Sequence, residues 1–138
     1  MVFQLHPRLQ KDSIKIAEFE LSELRLINDS QYPWMILVPK KTDITEIYQL
    51  SDANQQRLQQ ESSLLAKTMA ELYQADKMNV AAIGNMVPQL HIHHIVRYKT
   101  DIAWPAPVWG KFDAVPYTEQ QIGQISSQLK NALKDKLR

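Results

Sequence analysis

An α+β fold, with a mostly antiparallel sheet of about five strands, one long helix and a C-terminal helix, is predicted by three features of the sequence. Five short stretches carry β-type composition, two longer segments carry helical spacing, and the two kinds do not alternate as a βαβ series. The first β-like text lies between Ser13 and Leu26, as IKIAEFEL and then LRLIN. NDSQYP at 28–33 is turn chemistry, since Asn and Asp tolerate unusual backbone angles and Pro33 fixes its own. WMILVP at 34–39 is a continuous apolar run too short for a helix and closed by Pro39, which reads as a central strand.

Residues 51–75 give the clearest helix. Asp52, with Gln55 three positions on, resembles a capping box, and Leu58, Leu65, Met69 and Leu72 mark one apolar face. MNVAAIG at 78–84 returns to strand character until Gly84, and QLHIHHIVR at 89–97 is the last strand. The proline-rich TDIAWPAPVWGKF at 100–112 excludes a regular helix or central strand. A second amphipathic helix is expected from about Thr118, with Gln121 at the capping-box position and Ile122, Ile125, Leu129 and Leu133 on its buried face.

Composition narrows the function. A chain of 138 residues with 44% hydrophobic and 22% charged residues fits one globular domain, 1–138, with its own core. The net charge of +1 with dispersed Lys and Arg gives no nucleic-acid footprint. Cysteine is absent, which removes disulfides, thiolate catalysis and cysteine-based zinc sites. MVFQLHPRLQKD does not read as a signal peptide and no apolar run approaches a membrane span of ~20 residues, so a cytoplasmic protein without membrane attachment is expected.

Three of the four histidines fall in QLHIHHIVR. On a strand, Gln89, His91, His93 and Ile95 share one face, while Leu90, Ile92, His94 and Val96 share the other. His94 then belongs to the packed face, and His91 and His93 stand side by side facing a pocket or solvent. Two such imidazoles can bind a metal, attack phosphorus with one ring while the other donates, or simply sit on a solvated face. A metal site needs about three protein ligands, and no third one shows ligand spacing; His6 lies in a turn-like His-Pro pair and must fold back to reach. No metal and no organic cofactor is therefore expected.

Gly84-Asn85-x-x-x-Gln89-x-His91-x-His93 with Arg97 behind it resembles the signature of the histidine triad (HIT) family. LRLINDSQYPWMILVPK resembles the family's strand–turn–strand ending in Pro-Lys, and Asn79 matches an Asn or Asp placed before the glycine. The resemblance covers roughly 14–98, leaving a C-terminal loop and helix at 99–138, and implies a HIT-like α+β fold and a homodimer. Spacing from Gly84-Asn85 and to Arg97 places His91 and His93 at the second and third triad positions and Gln89 at the first.

By that resemblance His91 attacks the α-phosphate of a purine nucleotide derivative and becomes a transient nucleotidyl-histidine, while His93 binds phosphate and assists the leaving group. Asn85 contacts phosphate oxygens beside Gly84, Asn79 holds the site's geometry, and Asn28 touches the nucleoside. Diadenosine polyphosphates, as in diadenosine tetraphosphate hydrolases, or nucleoside phosphoramidates are the implied substrates. Two positions depart from the pattern. Gln89 stands for the first histidine, and Trp34 stands where a histidine often precedes the apolar strand. Both departures leave open a nucleotide-binding module with little turnover. WPAPVWG at 104–110 is similar to a feature of a bacterial subfamily and is expected to cap the pocket, cross to a second subunit, or pack on the sheet.

Overall fold

The computed structural model describes residues 2–138. Its element order is α1 (Pro7–Asp12), β1 (Ser13–Glu18), β2 (Ser22–Ile27), β3 (Trp34–Pro39), a 3-10 turn (Ile47–Gln49), α2 (Asp52–Tyr73), β4 (Lys77–Ala81), β5 (Ile92–Arg97) and α3 (Glu119–Leu133). The five strands form one sheet in the order β1-β2-β3-β5-β4, with every neighbouring pair antiparallel. The expected α+β class and strand count are what the structure shows.

Strand alternation divides the sheet into two working faces. Leu24, Leu26, Met35, Leu37 and Val96 point to one side, where Leu65 and Met69 of α2 and Leu129 and Leu133 of α3 complete the main core. The opposite face carries Trp34, Ile36, His93 and Ile95, with Trp34 opposite Ile95 and Ile36 opposite His93 in the β3–β5 pairing. Two smaller clusters cover that second face at its ends. Leu9, with Phe3 and Leu5, packs on Ile36, Val38 and Val87. Tyr32, Ala103 and Val108, with Trp34 and Trp109, pack around Ile95. A gap remains between the two covers.

Several sequence expectations need correction in detail. The cap of α2 is Ser51, whose hydroxyl accepts from the Asn54 amide, so Asp52 is the first helical residue and its charge sits in the first turn. Leu72 is exposed rather than buried. The buried face also includes Glu61, whose carboxylate accepts from the Leu21 and Ser22 amides and closes the β1–β2 turn. The last strand starts at Ile92 instead of Gln89. α1 had no counterpart in the sequence reading. The C-terminal helix follows expectation: Thr118 and Gln121 form a reciprocal capping box, and Leu129 and Leu133 are buried. No helix among the described residues is long and apolar enough to cross a membrane.

Candidate active site

Between the two covers on the second sheet face lies a cavity of about 650 Å³. His91 and His93 line it, together with Asn28, Gly84 and Asn85. Five of the seven residues singled out by sequence thus meet at one cavity. Gly84 adopts φ +70°, a backbone conformation costly for any side chain, and this lets the chain turn between β4 and the histidine segment. Asn28 also lines the cavity, with its side-chain oxygen accepting from the Tyr117 amide. Its NH₂ group remains as a donor.

The hydrogen-bond partners of the histidines fix their tautomers. His91 Nδ1 lies 2.7 Å from the Gln89 carbonyl oxygen, which can only accept. Nδ1 therefore carries the hydrogen and Nε2 keeps its lone pair. His93 shows the reverse arrangement. Trp34 Nε1 donates to His93 Nδ1 at 2.9 Å, and an indole N–H cannot accept. His93 is thereby held with its hydrogen on Nε2, and an imidazolium there would face a donor with a donor. The two rings meet edge to face at 4.8 Å. One presents the unprotonated Nε2 of His91, the other the Nε2–H of a neutral His93.

His94 sits on the other face, fully buried, as alternation predicted. Its Nδ1 donates to the Ile92 carbonyl at 3.0 Å, leaving Nε2 to accept from the Ser62 hydroxyl at 2.8 Å. This ring belongs to the packing between β5 and α2.

Burial opposes a charge on all three rings. It lowers His91, partly offset by the bond to the Gln89 carbonyl. It pushes His93 down to about 3, helped by the neighbouring His91 and His94, and His94 down to about 4. In the unfolded chain these imidazoles titrate near ~6.5. Below that pH the unfolded state takes up protons that the fold refuses, so stability falls as pH drops from there toward the folded values. Urea unfolding should lose roughly 1.5 kcal/mol between pH 6.5 and 5 for each imidazole kept neutral. A flat profile over that window would contradict the neutral assignment.

The remaining two sequence candidates lie outside the cavity lining. Asn79, on the edge strand β4, accepts from Arg97 Nη1 at 2.9 Å. Gln89 turns its amide to the N-terminal arm, residues 3–12 with α1 at its end: Nε2 donates to the Gln4 carbonyl at 2.9 Å, and Oε1 accepts from the His6 amide at 2.8 Å.

Arg97 is the hub of the aromatic cover. Its guanidinium pairs with both Asp101 oxygens at 2.9 and 3.1 Å and reaches the Ala106 carbonyl at 2.8 Å. Burial alone would raise Asp101, but Arg97 and the Tyr98 and Trp104 amides hold it below the usual carboxylate range. This hub sets the 98–110 loop so that Trp109 packs edge to face on His93 at 5.1 Å and on Trp34 at 5.9 Å. The WPAPVWG loop packs on the sheet at Ile95, and its Val108, Trp109 and Gly110 line the cavity.

Sequence reasoning missed two parts of the site. One is the arm, whose Arg8, Leu9, Lys11 and Asp12 form a cavity wall. The other is Trp34 as a hydrogen-bond donor. Its N–H was a legible signal, because a donor standing where a ring nitrogen often stands can serve an imidazole partner. Among the described residues no group of three or more His, Cys, Asp or Glu is placed to hold a metal ion.

Comparison with known proteins bears on the family and the fold. The HIT domain family model matches residues 8–100. A histidine triad protein from Marinobacter aquaeolei is 54% identical, with 99% of each chain covered and a TM-score of 0.96. A histidine triad (HIT) protein from Sinorhizobium meliloti is 39% identical over 95% of this chain and 97% of its own, at a TM-score of 0.93. A histidine triad protein from Bradyrhizobium japonicum is 38% identical over 100% of both chains, at 0.92. The C-terminal loop and α3, beyond the family match, are therefore shared with these structures. No curated protein matches the chain at a significant level.

Proposed function

The chain belongs to the histidine triad family, and from that premise we propose that it is a nucleotidyl hydrolase or transferase acting at the α-phosphate of a purine nucleotide derivative. One observation carries the reading: the Gln89 carbonyl fixes the hydrogen of His91 on Nδ1 and leaves the Nε2 lone pair for phosphorus. Nε2 attacks the α-phosphorus, the bond from phosphorus to the leaving group breaks, and a nucleotidyl-histidine forms. Water then attacks the same phosphorus, restoring His91 and releasing the nucleoside monophosphate. His93 donates its Nε2 hydrogen to a phosphate oxygen as negative charge builds there, and Asn85 at the rim supplies a further amide donor. Asn28 is assigned to the nucleoside.

The neutral His93 also favours one substrate class. A ring pinned by the Trp34 N–H can stabilise an anion but is a poor source of a proton for a departing amine. Diadenosine polyphosphates, whose leaving group departs as an anion, suit this site better than nucleoside phosphoramidates, whose amine must be protonated. A homodimer belongs to the same reading, with exposed Leu72 on α2 and Val80 on the edge strand β4 as apolar surface for a second copy.

The test is steady-state turnover of diadenosine tetraphosphate and adenosine 5′-phosphoramidate, with AMP binding measured alongside. Hydrolysis of the first at a higher kcat/KM than the second is expected. AMP binding without turnover of either would make the protein a nucleotide-binding module instead. Turnover abolished by a chelator and restored by zinc would point to a metal reaction.

A further inference from the structure

Gln89 occupies the first triad position, yet its side chain does not face the cavity. Its amide meets the N-terminal arm in the pattern of a strand pairing, giving one hydrogen bond and taking another from backbone groups more than eighty residues away. Its own carbonyl, meanwhile, accepts the Nδ1 hydrogen of His91. One residue therefore joins the arm to the tautomer of the nucleophile. The arm in turn carries Leu9 into the core and Arg8 and Lys11 to the cavity wall.

We propose that Gln89 is a positioning residue that clasps the N-terminal arm against the histidine segment, so that docking of the arm orients His91 for attack. Residues 89–91 lie outside the β5 ladder, which begins at Ile92. Without ladder bonds, the segment needs another fixed partner, and the arm is that partner. The Leu90 amide donates to the Ile44 carbonyl at 2.9 Å, which pins the other side of the same segment. The peptide that holds His91 is thus gripped from the arm on one side and the 3-10 turn region on the other. A glutamine can do this where an imidazole cannot, because a single primary amide both donates and accepts along one backbone edge.

The inference rests on His91 acting as nucleophile, and its test separates the two. His6→Pro removes the N–H that donates to Gln89, at a residue whose φ of −56° and ψ of 134° already suit proline. His6→Ala loses the same imidazole but keeps that N–H, and is the reference for it. Gln89→Ala removes the clasp from the other side. Gln89→Ala relative to wild type, and His6→Pro relative to His6→Ala, are each expected to lower kcat by about tenfold with a smaller change in KM. His6→Pro with Gln89→Ala should be no worse than His6→Ala with Gln89→Ala, since both substitutions cut one connection.

In ¹⁵N NMR of the same proteins, the His91 ring nitrogens should report a fixed Nδ1–H tautomer in wild type and exchange between tautomers in the clasp variants. Losses that multiply when His6→Pro is combined with Gln89→Ala, or a His91 signature unchanged by Gln89→Ala, would overturn the clasp. If the wild type turns over no adenylyl substrate, the functional reading fails, and the NMR signature still decides the clasp.

Discussion

His91→Asn is expected to cut hydrolysis of diadenosine tetraphosphate by about 10⁴-fold or more while AMP binding changes little. Asparagine is close in size, and its NH₂ can still donate to the Gln89 carbonyl that now receives His91 Nδ1. What disappears is the lone pair at Nε2, and no other group in the cavity replaces it. His93 cannot take over, because its Nδ1 is occupied by Trp34 and its Nε2 carries the hydrogen. His94 lies on the opposite face and is bonded at both nitrogens. Parallel kcat and AMP titration measurements check this. Activity that survived in His91→Asn but vanished in His93→Asn would exchange the two roles.

Trp34→Phe gives the second large effect, and it is chemical more than steric. The phenyl ring keeps the aromatic contacts to His93 and Trp109, at 5.7 and 5.9 Å in the native protein, but the N–H is gone. His93 Nδ1 then has no donor facing it, so both tautomers become accessible and an imidazolium no longer meets a donor, while burial still holds its pKa below the ordinary value. Hydrolysis of the dinucleoside polyphosphate should fall about tenfold as the Nε2–H donor loses its fixed place. Phosphoramidate cleavage should fall less, or improve at acidic pH, because a protonated His93 can now supply the departing amine. The ratio of kcat/KM for the two substrates, measured from pH 5 to 8, reads this directly. An unchanged ratio would mean that Trp34 only fills space.

The parts of the fold legible in the sequence were those governed by local periodicity. IHHIVR separated His93 from His94 by alternation alone, and the structure places them on opposite faces. Thr118 and Gln121 announced α3 because a capping box lies within four residues. At α2 the same reasoning missed by one residue, since Ser51 and Asp52 are both good caps and only the bond to the Asn54 amide decides between them. α1 is six residues long, too short to show a period, and Leu9 is its one buried residue.

The site was legible as a set of residues more than as a set of bonds. His91 and His93 came from strand alternation, Asn28, Gly84 and Asn85 from the family resemblance, and all five line one cavity. The bonds that set their chemistry run between distant segments: Trp34 to His93 and Gln89 to the arm. No local pattern encodes such contacts. Both departures from the family pattern prove to be connected residues, one fixing the tautomer of His93 and the other tied to the carbonyl that fixes His91.

The most direct measurement is of the covalent state itself. Protein mixed with diadenosine tetraphosphate for a few milliseconds, quenched in alkali and digested, is expected to yield one peptide heavier by an adenylyl group, with the modification on His91 Nε2. An adduct on His93 or on no histidine, in protein that turns the substrate over, would contradict the assignment of His91 as nucleophile.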